Sequence, residues 1–248
     1  MIELKDVCKI FGKNRVLDHL DLTVDAGRTT VIIGRSGGGK SVLLRHLIGL
    51  MRPDCGQVLV EGHDLARMSA AELKEARKSF GMLFQDAALF DSMSVGDNVA
   101  FPLREHTKKK ESEIRGIVEE KLASVGLSGV SGKMPAELSG GMRKRAGLAR
   151  ALALDPRIIL FDEPTTGLDP LMADAIDTLI RDTQERTGAT CVVISHDMEG
   201  AFKIAHHIAM LYEGRIIAKG TPEEIRNTQD PVVRQFVEGR AEGPIKVV

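Results

Sequence analysis

Three short stretches of this chain hold residue types that can handle phosphate. The first is Gly34-Arg35-Ser36-Gly37-Gly38-Gly39-Lys40-Ser41, followed by Val42. It fits G-x-x-x-x-G-K-[ST], the phosphate-binding P-loop. Its glycines let backbone N–H groups turn inward and approach phosphate oxygens closely. A helix starting after the loop points its positive end at the anion. Lys40 supplies a point charge for the β- and γ-phosphates, and the Ser41 hydroxyl is a hard oxygen ligand for Mg²⁺. The second stretch, Ile158-Ile159-Leu160-Phe161-Asp162-Glu163, is an apolar strand ending in two carboxylates. Ligands bind at the carboxyl edge of such sheets. There Asp162 is expected to hold Mg²⁺, directly or through water, and Glu163 to accept a proton from an attacking water, a step worth about 10²–10⁴ in rate. The third is Leu138-Ser139-Gly140-Gly141-Met142, followed by Arg143, Lys144 and Arg145. Ser139 and its glycines read either as an ordinary helix cap or as a second anion site. Three cations in a first turn oppose the helix dipole, which points to something anionic nearby.

The elements that must position these stretches show in the apolar spacing. Ile2–Val7 and Val16–Val24 alternate as strands, and Arg28–Ile33 ends in a continuous apolar run before Gly34. A helical pattern follows from about Gly39 to Gly49. Pro53-Asp54-Cys55-Gly56 is a turn signal, Gln57–Val60 a short strand, and Ser69 with Glu72 a capping box for a helix to about Lys78. Phe80–Phe84 is another short strand. Between 91 and about 155 helical periods take over: Ile114, Ile117, Val118, Leu122 and Val125 mark one helix face. The strand pattern then resumes with Ile158–Phe161 and Thr190–Ile194, separated by an amphipathic helix after Pro170. Glu213-Gly214 signals a hairpin, Thr221-Pro222 opens a short helix, and 238–248 reads as an extended tail. Strands alternating with helices predict an α/β fold with a mostly parallel sheet covered on both faces.

Composition sets bounds. Of 248 residues, 43% are apolar and 28% charged, which excludes a wholly disordered chain. Thirty-four basic against 35 acidic residues leave a net charge of -1, so no global attraction to nucleic acid follows. Val42–Met51, the most apolar run, is cut by Arg45 and His46, so no bilayer-spanning segment is expected. The first residues lack a signal-peptide pattern, which predicts a cytosolic location. Cys8, Cys55 and Cys191 are odd in number and far apart, and three reduced, packed thiols are expected.

Together these residues resemble the ATP-binding subunits of ABC transporters. The P-loop 34–41, the Leu138–Met142 signature, the Ile158–Glu163 Walker B strand, Gly167-Leu168-Asp169 and Ser195-His196-Asp197 occur in that family's order. Gln85 matches its Q-loop, and Phe11 sits where the family places an aromatic that stacks on adenine. The resemblance spans about residues 2–237. It implies a P-loop NTPase core with an N-terminal antiparallel β-subdomain and an inserted α-helical subdomain (about 91–155). It implies one nucleotide-binding domain over 1–237, with 238–248 as its tail, binding ATP and Mg²⁺. Two copies would pair head to tail, each ATP lying between the P-loop of one copy and Ser139, Gly140 and Gly141 of the other; this accounts for two phosphate-binding helix starts in one chain. His196 would contact the γ-phosphate, Gln85 complete the Mg²⁺ shell and relay nucleotide state, and Asp169 organise the opposite site. The signature ends in Met142 where the family usually has Gln.

Met82–Met93, Asn98–Thr107 and the tail Arg234–Gly239 are similar to the ATPases of Mla/Mce-type lipid-transport systems. That likeness implies a separate integral-membrane permease docking near 85–107 through Phe101-Pro102-Leu103, an MCE-domain lipid-binding subunit, and in some members a small STAS-domain subunit. The chain would sit peripherally on the cytoplasmic face of the inner membrane, and the extended tail would contact a partner. Transport of another small substrate, or a soluble non-transport ABC ATPase, stay open as alternatives.

Overall fold

Leu20, Leu22 and Val24 are buried and Asp21 and Thr23 exposed, the period-two pattern that makes a strand with one wet face. The computed structural model describes residues 1–246 and divides into two compact units, Met1–Ser69 with Val192–Val248, and Ala70–Cys191. In chain order the first unit opens with β1 (Ile2–Phe11), β2 (Asn14–Val24), β3 (Thr29–Ile33), α1 (Lys40–Leu47), β4 (Cys55–Val60) and β5 (His63–Asp64). The second holds α2 (Ala70–Arg77), β6 (Phe80–Leu83), α3 (Val95–His106), α4 (Glu111–Ser124), α5 (Gly140–Ala151), β7 (Ile158–Asp162) and α6 (Pro170–Thr187). Strand β8 (Thr190–Ile194) starts in the second unit and ends in the first. The chain then completes the first unit with α7 (Met198–Ile204), β9 (His207–Tyr212), β10 (Arg215–Gly220), α8 (Pro222–Arg226) and α9 (Pro231–Val237).

The first unit contains an antiparallel sheet in the order β2-β1-β4-β5. It also contains the run β10-β9-β3-β8, in which β3 and β9 are parallel and β9 and β10 form a hairpin. Glu213 and Gly214 both take positive φ (47° and 78°), as a two-residue hairpin turn requires. Strand β3 is buried along its whole length, as its unbroken apolar run predicts. In the second unit β6 and β7 run parallel. Helix α4 buries Ile114, Val118 and Leu122, with Val125 at its end, each worth roughly 1.5–3 kcal/mol of apolar burial.

Three expectations are corrected. Cys8 and Cys55 are not separate thiols: they are directly opposed across β1 and β4, 5.0 Å apart at Cα, and disulfide-bonded. Forty-seven residues separate them in sequence, and only the register of two non-local strands brings them together. Cys191 lies buried outside the bridge. The tail is not extended but folds back on α9. The Gln235 side chain donates to the Ile245 carbonyl (2.9 Å) and accepts from its N–H (2.6 Å), and Ile245 is buried. The calls on Val247 and Val248 lie outside the described residues. Finally, Phe101-Pro102-Leu103, read from sequence as a docking surface, is not wholly exposed, because Pro102 lies inside a helix that runs past it. α3 continues to His106, losing one backbone bond, and Leu103 is 1% exposed rather than presented at the surface.

Candidate functional site

In the first unit the P-loop runs from the end of β3 into α1. Gly34 passes so close to β9 that a Cβ would lie 2.3 Å from the Leu211 carbonyl oxygen, so no side chain fits. Gly37 and Gly39 take positive φ (75° and 96°), turning the backbone in the way a phosphate cradle needs. Helix α1 starts with no side-chain cap and no acidic residue in its first turn. Its initial N–H groups therefore have no carboxylate competing for them. Lys40 is buried, and its Nζ donates to the carbonyls of Gly34 (2.8 Å) and Arg35 (2.9 Å), holding the loop curled around its own cation. Ser41 is exposed and Val42 half-buried at the helix start. An uncapped helix N-terminus, left-handed glycines and a lysine fit a triphosphate.

His196 follows β8 and is exposed. Asp197 caps α7, accepting from Glu199 N–H at 3.0 Å and Gly200 N–H at 3.3 Å. A cleft of about 570 Å³ brings His196 together with Gly34, Arg35 and Ser36; residues 235–240 and Ile245 form its other wall. Sequence reasoning missed that wall, having assigned no helix at 231–237. Phe11, at the end of β1, is 46% exposed and offers an open ring face, with Lys9 Nζ 5.6 Å from its centroid.

In the second unit β7 delivers Asp162 half-buried at its end, followed by Glu163 at φ 47°. A left-handed glutamate costs backbone energy. Thr166 Oγ1 donates to Glu163 Oε2 at 3.1 Å and orients the carboxylate. Asp169 caps α6, accepting from Met172 N–H at 3.0 Å, and Ser139 caps α5, accepting from Met142 N–H at 3.3 Å. A Cβ on Gly141 would lie 2.2 Å from the Met172 methyl, whereas one on Gly140 would have ordinary contact with Leu168. The hard oxygens of Ser41, Asp162 and the Gln85 amide are the donor types Mg²⁺ selects.

The three cations after the signature all bond backbone carbonyls. Arg143 donates to the Leu138 carbonyl (2.9 Å) and Arg145 to that of Val125 (3.1 Å). Lys144 turns inward, buried, and its ammonium donates to the carbonyls of Gln85 and Glu163. Burial pushes its pKa down, opposed by the nearby charges of Asp86, Glu163 and Asp162. Arg150, further along α5, donates to Ala88 (2.6 Å) and Ala87 (2.8 Å), which both hold positive φ, and burial lowers its pKa too. Helix α5 thus grips the segment after exposed Gln85 at two points. Beside it lies a groove of about 610 Å³ lined by Met82, Phe84, Phe90, Phe101 and Pro102, with Lys74, Arg77, Lys78 and Arg150 on its rim. Sequence reasoning named Lys144 without its carbonyl partners and missed Arg150, because a basic residue in a helix reads alike whether it faces water or a carbonyl.

The ABC transporter family matches residues 17–166. The chain is 51% identical over 244 residues to the probable ribonucleotide transport ATP-binding protein mkl of Mycobacterium tuberculosis, covering 98% of this chain and 68% of that one. It is 46% identical over 246 residues to the intermembrane phospholipid transport system ATP-binding protein MlaF of Haemophilus influenzae, covering 99% of this chain and 93% of that one. A dimeric ATP-binding cassette in a post-hydrolysis state, bound to ADP and Pi, superposes with a TM-score of 0.82 at 30% identity, covering 90% of this chain and 99% of that one. The chain belongs to the ABC transporter family, as an ATP-binding subunit that hydrolyses ATP. Its fold is the α/β ATP-binding cassette. No helix among the described residues is long and apolar enough to cross a membrane.

Proposed function

We propose that this chain powers phospholipid transport through a separate integral-membrane permease. The relatives' names disagree on cargo, ribonucleotide in one group and phospholipid in the other. The observation that carries the lipid reading is the end-to-end likeness: the chain covers 93% of the phospholipid-transport relative but 68% of the other. Reconstitution of the complex tests it: phospholipid vesicles should stimulate ATP turnover, and stimulation by ribonucleotides instead of lipid would replace the cargo.

Backbone N–H groups of Gly34 through Val42, with Lys40, bind the triphosphate, and Phe11 stacks on adenine. Ser41, Asp162 and Gln85 would hold Mg²⁺, which would supply positive charge to offset that of the phosphates. Glu163 accepts the proton of the attacking water, and His196 orients that water against the γ-phosphate. Ser139, Gly140, Gly141 and Asp169 serve the nucleotide of a second copy in a head-to-tail dimer, an arrangement supported by the dimeric relative. Glu163→Gln should retain ATP, trap the dimer and lose about 10²–10⁴ in turnover; wild-type turnover would end the assignment of the base.

The permease docks in the aromatic groove, where Phe84 and Phe90 are about two-fifths exposed and a basic rim can meet acidic residues. Lys144 and Arg150 tie the Gln85–Ala88 segment to α5, so movement at Gln85 reaches Phe90, whose ring Arg150 also faces at 5.9 Å. An MCE-domain lipid-binding subunit completes the assembly, joined in some family members by a small STAS-domain subunit, with this chain peripheral on the cytoplasmic face of the inner membrane.

A further inference from the structure

Away from the phosphate-binding residues, the antiparallel sheet of the first unit gathers a second set of chemistry-bearing side chains. Cys8 on β1, Cys55 on β4 and His19 on β2 place one sulfur, one sulfur and one ring nitrogen all within 4.8 Å of one another. Three irregularities in the β1–β2 register, between Leu4 and Ile10, allow this. Asp6 and His19 both leave the strand conformation for positive φ, 56° and 46°. Gly56 on β4 lets that strand close in: a Cβ there would lie 2.2 Å from the Asp6 carbonyl oxygen. The Cys55 sulfur lies 3.2 Å from the same carbonyl, so Asp6 borders the sulfurs with its backbone.

Its side chain does something else. Asp6 Oδ1 lies 2.6 Å from His19 Nδ1. A carboxylate on one ring nitrogen fixes the tautomer, orients the ring and leaves Nε2 for a metal, the arrangement that supports histidine ligands in metal sites. The Asp6 N–H in turn donates to Asp21 Oδ1 at 2.9 Å, which steadies the bulge. Two thiolates and one imidazole are a borderline-soft donor set, suited to Zn²⁺ and unsuited to Mg²⁺. Cys8 is buried and Cys55 half-buried, while His19 is exposed, which gives an ion an entry route.

We propose that, with the disulfide reduced, Cys8, Cys55 and His19 bind one Zn²⁺, water filling the fourth position. Reduction by a thiol or phosphine reductant adds two electrons and two protons and breaks the S–S bond. Zinc then displaces the two protons, leaving two thiolates. In a tetrahedral site with Zn–S bonds of about 2.3 Å the sulfurs stand about 3.8 Å apart, so on reduction they must move apart from bonding distance, while the three donors already lie within 4.8 Å of one another. Oxidation by two electrons restores the bridge and expels the metal, so the oxidised and zinc-bound forms exclude each other.

The test uses the full chain in both redox forms, in Mg²⁺-saturated buffer. Reduced protein should take up one Zn²⁺ in competition with a chromogenic chelator. With Co²⁺ as probe it should show a thiolate-to-cobalt charge-transfer band in the near ultraviolet. The disulfide form and Cys55→Ser should lack the band and lose the zinc stoichiometry. Asp6→Asn keeps a residue that tolerates positive φ and should weaken zinc by about 10–100-fold. His19→Ala, on an exposed side chain, should weaken it at least tenfold. Zinc binding equal in the disulfide form, in Cys55→Ser or in His19→Ala overturns the site, as does a reduced wild type with no cobalt band.

Discussion

Two helices of this chain begin with glycines and a lysine nearby, and they differ in whether a side chain closes their first N–H groups and in how far the lysine reaches. Helix α1 follows Gly39 in a left-handed conformation and has no side-chain cap. Its lysine curls back on the loop it leaves, through Gly34 and Arg35. Helix α5 is capped by Ser139, and Arg143, Lys144 and Arg145 all bond backbone carbonyls of their own unit. A helix start is an anion site where its N–H groups stay open. Where a hydroxyl closes one of them and the cations hold carbonyls, the start is also a clamp. In α5 the clamp reaches Gln85 and Glu163 through Lys144, so a cation that read from sequence as a pointer to an anion ties two candidate site segments together.

The largest effect expected from this contrast is at α1. Lys40→Ala should reduce ATP turnover by about 10²–10³, the scale for losing one preorganised partner of developing charge; phosphate release measures it, and a loss under threefold would remove α1 as the anion site. Next is the clamp. Lys144→Met leaves the carbonyls of Gln85 and Glu163 without their ammonium, which should cost about 1–3 kcal/mol of stability. It should lower kcat roughly tenfold at unchanged KM for ATP, since one 1.4 kcal/mol displacement of the transition state suffices for that. A changed KM with unchanged kcat would make Lys144 part of nucleotide binding instead.

A third, smaller effect concerns how α1 is seated. His46 is fully buried on α1, its Nδ1 donating to the Val42 carbonyl at 2.7 Å, and burial holds its pKa below the ordinary 6.5. The unfolded chain therefore binds this proton more readily than the folded one. Stability from this group is complete above about pH 6.5 and is lost as pH falls, by no more than about 1.4 kcal/mol per pH unit. Urea midpoints at pH 7.5 and 5.5 should converge in His46→Gln; an unchanged pH slope in the variant would place the acid sensitivity elsewhere. The smallest effect is Ser139→Ala, about 1 kcal/mol of stability if the hydroxyl only caps. Turnover falling tenfold or more beyond that loss would sharpen the comparison, because the hydroxyl would then serve a second copy's nucleotide as well.

The contiguous features were legible in sequence. The P-loop needs only eight neighbouring residues, and β7 announces Asp162 and Glu163 by a strand that stops at them. Strands β3 and β8 read correctly because burial on both faces leaves an unbroken apolar run. What sequence could not yield depends on distant partners. Cys8 and Cys55 meet through the β1–β4 register, which parity and spacing do not reveal. Leu103 and Phe101 are two residues apart on α3, yet one is buried and the other lines the groove, a matter of helix rotation. Helix α9 was invisible as a seven-residue element with little period to detect, although Asp230 before Pro231 is a start signal that could have located it.

The single amide of Gln235 that pins Ile245 has a practical corollary at the bench. Any peptide fused after Val248 begins four residues beyond Ile245, a side chain that lines the cleft shared by His196 and the P-loop edge. Affinity handles for purification therefore belong at the opposite terminus, ahead of Met1, whose side chain is half exposed.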